Sequence, residues 1–184
     1  MVGLWIVLGV IVVLILMVIG MYNGLVQLRI SVQNAWSQID VQLKRRHDLI
    51  PNLVEVAKGY MAHERGTLES VTKARQMAID ASTVKDKLAA ENALTSTLRS
   101  LMAVSENYPN LKADQNMMRL HEELTTTENK ISFARQFYND EVNRLNAMVQ
   151  SFPTNIMAAQ FGFKTAEFFQ LEIPEERQVP QVKF

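Results

Sequence analysis

The sequence predicts an all-α fold: an N-terminal transmembrane helix that continues into an antiparallel bundle of long helices. Three observations carry this. Residues 1–28 hold no charged side chain, and Leu4 to Ile19 is almost wholly Leu, Ile, Val and Met. After them, apolar residues recur at steps of three and four. No segment keeps a period of two over the length of a strand.

The first element is the membrane helix. About 20 apolar residues cross a bilayer core of roughly 30 Å. Trp5 and Tyr22 lie 17 positions apart, about 26 Å along a helix, so both rings are placed for the two interfaces. A cleaved signal peptide fits less well, because no Lys or Arg precedes the run and no Ala-x-Ala follows it. The first charge is Arg29, and Lys44, Arg45 and Arg46 follow. The positive-inside rule then puts the N-terminus outside and the C-terminal body in the cytoplasm. Gly20 and Gly24 match a small-xxx-small pattern, a candidate for helix self-association.

The next element follows without a break. Leu25, Leu28, Val32, Ala35 and Ile39 form a helical seam, and Leu43, Ile50, Leu53, Ala57 and Tyr60 continue it after a shift. Pro51 falls inside this pattern, where it removes a backbone hydrogen bond. Either the helix kinks near His47 or a new helix starts there with Asp48 as N-cap. Gly66 closes the segment, and Thr67 is the expected N-cap of the next. Leu68, Val71, Ala74 and Ala78 make one apolar face, and Leu88, Leu94, Leu98, Leu101 and Tyr108 another, with a weak interruption at Ala81-Ser82-Thr83. Asn107 to Asn110 is expected to be a turn.

The clearest seam is the last. Met117, Leu120, Leu124, Thr127, Ile131, Ala134, Tyr138, Val142, Leu145, Met148 and Phe152 step mainly by three and four, and 111–151 lacks Gly and Pro. That length makes a helix of about 60 Å, and its repeat favours coiled-coil-like packing on the preceding helices. Beyond it, Phe152, Phe161, Phe163, Phe168 and Phe169 fall within 18 residues. They either plug the distal end of the bundle or leave an apolar contact patch. The organisation is therefore an anchor at 1–24, a bundle at 25–171 and a flexible tail at 172–184. The bundle helices are expected at about 25–62, 67–107 with a weak point near 82, 111–151, and a short 154–161.

Composition bounds the chemistry. The 184 residues hold 19 Lys+Arg and 19 Asp+Glu, a balance that argues against nucleic-acid binding by bulk electrostatics. The absence of cysteine removes disulfides, thiolate nucleophiles and Cys-ligated metals. His47, His63 and His121 show no metal-ligand spacing, and 47 and 63 lie about 160° apart on a straight helix. They are expected to be exposed or half-exposed. The acid pairs Glu122-Glu123 and Asp140-Glu141 are adjacent, so neither pair faces itself, and both are expected on solvated faces. Lys44-Arg45-Arg46 stands roughly 25–30 Å beyond Leu28 on a straight stalk. That exceeds a Debye length of about 8 Å, so pairing with acids of neighbouring helices is expected rather than lipid binding. There is no phosphate loop and no nucleophile elbow. We expect no catalytic residue, cofactor, metal or small-molecule substrate.

Gln42-Leu43-Lys44-Arg45-Arg46-His47-Asp48-Leu49-Ile50-Pro51-Asn52-Leu53-Val54 resembles the signature stretch of the LemA family. Val71 to Arg75, Phe137-Tyr138-Asn139-Asp140 through Asn146, Phe152-Pro153, and Phe161-Gly162-Phe163 to Phe168-Phe169 resemble it as well. One departure is Leu145-Asn146, where the family often repeats a Tyr-Asn pair. The resemblance implies a bacterial membrane-anchored protein with an antiparallel helical body, placed in the plasma membrane, and no enzyme activity. It implies structural or interface roles for Arg45, Arg46, Asp48, Pro51, Asn52, Tyr138, Asn139, Phe152 and Pro153. Pro51 would fix a kink, and Asp48 and Asn52 would satisfy backbone there. The leading expectation is a scaffold or adaptor that meets the lipid bilayer and binds other envelope proteins or itself. The alternative is a self-assembling ring or patch that organises membrane. The third class is an enzyme or ligand-binding bundle using His47, Asp48 or His121.

Overall fold

A computed structural model describes residues 2–169. The described chain is all helix and connection, with six helices and no strand. The helices are α1 (Val2–Tyr60), α2 (Arg65–Asp80), α3 (Val84–Ser105), α4 (Pro109–Lys112), α5 (Gln115–Gln150) and α6 (Thr154–Gln160). The tail expected at 172–184 lies outside the described residues.

α1 is one uninterrupted helix from the apolar run into the body, with Pro51 inside it. Its N-terminal part is long and apolar enough to cross a membrane. No new helix begins at Asp48. Asp48 and Asn52 are both exposed along α1, so neither caps a helix there. Pro51 faces out, where its ring displaces no packing.

The boundaries of the shorter helices differ from expectation. α1 ends at Tyr60, and Met61 turns inward, fully buried, with its N–H on the Ala57 carbonyl at 2.8 Å. α2 starts before Gly66, with Glu64 at the N-cap position, so Gly66 and Thr67 sit in the first turn instead of ending and capping. The weak point near 82 is a true division. Thr83 Oγ1 accepts from Asp86 N–H at 3.0 Å and donates to its carboxylate at 2.7 Å, which caps α3. The expected turn at 107–110 is partly helical, because Pro109 opens the single turn α4. Asp114 rather than Leu111 begins the last long helix, accepting from the N–H groups of Asn116 (2.8 Å) and Met117 (3.0 Å).

The chain divides into two compact units. Among the described residues, one joins 2–42 to Lys130–Phe168, and the other joins Leu43–Asn129 to Phe169. In the first unit, Leu25, Val32, Ala35 and Ile39 of α1 are buried, as are Ile131, Ala134, Tyr138, Val142 and Leu145 of α5. These are the seams expected from periodicity. The helices run antiparallel: Gly24 meets Met148, while Trp36 meets Tyr138 with ring centroids 5.4 Å apart. In the second unit, Ile50, Leu53 and Ala57 of α1 share a core with Leu68, Val71 and Ala74 of α2, Leu94 and Leu101 of α3, and Met117 and Leu124 of α5. Arg46 reaches Glu128, and Tyr60 reaches Asp114. An advance of 14 residues on α1 is thus a retreat of 14 on α5, which again makes the pair antiparallel.

Candidate functional site

The second unit encloses a polar node in its helical core. Arg46 lies on the buried side of α1, between the apolar positions Leu43 and Ile50. Its guanidinium pairs with the buried carboxylate of Glu91 on α3. It also donates to Glu128 Oε2 on α5 at 2.7 Å and to Thr95 Oγ1 at 3.1 Å. The other Glu91 oxygen meets His47 Nε2 at 2.8 Å, and an ionised carboxylate can only accept, so the imidazole donates. Arg75 of α2 donates from Nε to the His47 carbonyl at 2.6 Å. Three helices, α2, α3 and α5, are thereby tied to two consecutive residues of α1.

The electrostatics favour an ionised Glu91. Burial pushes its carboxyl up, but the His47 hydrogen bond and the Arg46 charge outweigh burial and hold it below the ordinary value. A buried charge is tolerable only when paired and hydrogen-bonded, and here both conditions hold. Both Glu91 oxygens are engaged, whereas Arg46 Nε is buried without a hydrogen-bond partner.

The first unit carries a clasp for the chain after α6. Asn146 on α5 donates from Nδ2 to the Ala166 carbonyl at 3.0 Å and accepts the Ala166 N–H at Oδ1 at 2.8 Å. Tyr138 donates its hydroxyl to the Glu167 carbonyl at 2.9 Å. Tyr22 packs edge-on against Phe161 and Phe163, with centroids 5.0 and 5.9 Å away, and the Arg29 guanidinium lies 5.0 Å over the Phe163 ring. Tyr22 is therefore part of a protein cluster as well as a marker of the end of the apolar run.

The same unit leaves an apolar groove between α1 and α5. Its cavity of about 520 Å³ is lined by Val41, Phe133, Ala134 and Phe137 with Gln38 and Lys130 at its edges. Phe133 is 72% exposed, Val41 63% and Phe137 44%. Phe133 and Phe137 are four apart on α5, one step off its buried seam, so they share a face that no described element covers.

The residues singled out in sequence are distributed as follows. Arg46 joins the node, whereas Arg45 and Lys44 are exposed, so the basic cluster pairs with acids through one member. His47 is buried, contrary to expectation, because it completes the Glu91 carboxylate. His63 and His121 are exposed, as expected. Glu141 is buried rather than solvated and accepts from Arg144 at 2.9 Å. Gly24 is filled: a Cβ there would lie 2.9 Å from Met148 Cε. Gly20 is open, so the two glycines do not form one free packing face. Tyr138 is buried in the clasp, and Asn139 is half-buried on α5. The Phe cluster divides. Phe163 and Phe169 are buried, Phe161 and Phe168 are exposed, and Phe152 is 81% exposed; Phe161 and Phe163 stand beside Tyr22 at the end of the apolar run instead of plugging the distal end. Phe152 leaves the seam because α5 ends at Gln150, before the cis Phe152-Pro153 bond and α6. Glu91, Glu128, Thr95, Phe133 and Asn146's pairing to Ala166 were not singled out as functional.

Together these features define a class: an all-α protein with one apolar N-terminal helix, an ion-paired core and a helical body. The chain belongs to the LemA family, whose family model matches residues 35–184. It is 25% identical over 175 residues to magnetosome protein MamQ 2 of Paramagnetospirillum magneticum, covering 81% of this chain and 64% of that protein. It is 22% identical over 174 residues to magnetosome protein MamQ of Magnetospirillum gryphiswaldense, covering 80% and 64%. It is 25% identical over 153 residues to protein LemA of Metamycoplasma hominis, covering 83% and 70%. The chain thus spans under two thirds of the length of the MamQ relatives.

Proposed function

We propose that the chain is a single-pass membrane-anchored adaptor that presents a helical docking face to a protein held in the same bacterial plasma membrane. The observation that carries this is the groove of Val41, Phe133 and Phe137 on a helix continuous with the apolar run. Val41 stands 13 residues beyond Leu28, about 20 Å along α1. A lipid headgroup layer is roughly 5–7 Å deep, so an upright stalk lifts the groove clear of lipid. Large apolar groups left in water mark contact surfaces. A second copy of the chain brings the same groove to the same height, as a twofold axis along the membrane normal requires. The Lys and Arg that follow the span support a cytoplasmic body by the positive-inside rule. Binding and presentation, rather than catalysis, suit a polar node whose central pair, Arg46 and Glu91, is buried in the core.

A photocrosslinking residue in place of Phe133, in intact membranes, tests the reading. The expected result is a discrete protein adduct, either a dimer of the chain or one membrane protein, that disappears with Val41→Ser and Phe137→Ser. Adducts to lipid alone would overturn it. A dimer band would favour the self-assembling patch, now resting on this groove and not on the glycine pair.

A further inference from the structure

In the second unit, α3 and the start of α5 bring soft ligands together. His121 Nδ1 lies 3.2 Å from Met102 Sδ. A thioether only accepts, so in this state Nδ1–H points at sulfur. Both residues line a cavity of about 370 Å³, along with Met117, Met118, Glu106 and Glu122. Met117 and Met118 precede His121 by four and three positions, which puts both on the helical face of the imidazole. Met102 completes the group from α3. His121 and Met118 are exposed at the mouth, and Met117 forms the buried floor.

We infer that Met102, Met118 and His121, with Met117 at the floor, form a binding site for a soft monovalent d10 cation of the Cu(I) class. Thioether and imidazole donors select Cu(I), whereas hard ions require oxygen donors. The described residues contain no cluster of three or more His, Cys, Asp or Glu, so the site does not suit zinc or calcium. Ligands held roughly 2.0–2.3 Å from one ion, as for imidazole nitrogen and sulfur, lie about 3.5 Å from each other. The nitrogen and sulfur here are already close to that separation, so the cation replaces the Nδ1 proton with little movement. That proton moves by way of solvent to Nε2, so the imidazole binds as the neutral Nε2–H tautomer. The ligands are neutral, and Glu106 and Glu122 together with Lys112 at the cavity leave one net negative charge to balance the cation's. The site is independent of the adaptor reading, since it uses none of the groove residues.

The test is a titration of the full chain in detergent with Cu(I) under reducing, anaerobic conditions against a chromogenic Cu(I) chelator, with Ag(I) as the redox-silent counterpart. One equivalent is expected per chain. Met102→Leu, Met118→Leu and His121→Gln are each expected to weaken binding tenfold or more. The Leu variants conserve volume, so helicity should persist, and Met61→Leu in the same unit should bind as the parent does. X-ray absorption of the Cu(I) complex is expected to show sulfur together with nitrogen ligands. Failure to compete for one equivalent would overturn the site, as would affinity unchanged in both Met102→Leu and His121→Gln.

Discussion

Arg46 keeps a full positive charge where water is excluded, and it does so because Glu91 and Glu128 meet it there. Removing one partner of a buried pair is the damaging change, because the other charge stays behind. Arg46→Met should therefore lower stability by about 3–5 kcal/mol, measured by chemical unfolding of the full chain in detergent. Arg46→Met with Glu91→Leu removes both buried charges and should recover most of that loss. A double variant no more stable than Arg46→Met would show that the node contributes more than pairing. Glu91 also gives the sign of the acid response. Its folded carboxyl titrates below its unfolded one, so its stabilisation is complete above the unfolded value and is lost as pH falls through the folded one. The stability gap between the parent and Glu91→Gln should be widest near neutral pH and should narrow through the acidic carboxylate range. A gap independent of pH would mean that Glu91 is not ionised in the fold.

At the scale of elements, the seams were legible because burial follows periodicity. Leu25, Val32, Ala35 and Ile39, and the α5 stripe from Met117 to Leu145, are buried or nearly so. The node was legible only as gaps. Leu43 and Ile50 leave a seven-residue interval, and Arg46-His47 occupies it; Leu88 and Leu94 leave six, with Glu91 midway. A charged residue standing on an apolar stripe is a buried pair waiting for its partner, but the partner lies 45 positions away on another helix. Helix ends were harder, since one hydrogen bond decides them. Thr83 is such a case: Thr83→Ala should cost roughly 1 kcal/mol by loss of the cap, seen as a lower unfolding midpoint. The clasp after α6 had no periodicity to announce it, because it rests on one side-chain amide pairing with one peptide. In Asn146→Ala, the Ala166 amide should exchange with solvent at least tenfold faster while α5 amides near Ile131 stay protected. Equal protection at Ala166 would assign the segment's order to Tyr138 and Phe163 instead.

For the molecule as a whole, the averaged composition concealed two unlike parts: a charge-free start, and a stretch from 29 onward that holds every charged residue. The continuity of α1 joins them mechanically, since no Gly-Pro hinge separates the apolar run from the seam that begins at Leu25. This has a consequence for how the protein is retained. If residues 2–24 are the sole membrane attachment, their apolar surface supplies it: about 25 cal/mol per Å² buried makes such a helix effectively irreversible in a bilayer. Among the described residues, the body offers the groove and scattered apolar side chains such as Ile79, Phe152, Ile156 and Phe161. A chain lacking residues 2–24 should leave the membrane fraction on an alkaline carbonate wash, while the full chain stays in the pellet. A single Leu14→Lys change places a charge near the middle of the run at a cost of about 2.5–3.5 kcal/mol, which should reduce insertion without abolishing it. Retention of the deleted chain in the pellet would mean that the body holds membrane by itself. The face of Val41, Phe133 and Phe137 would then be the first surface to suspect of lying on lipid, and the upright adaptor would give way to a helix lying flat.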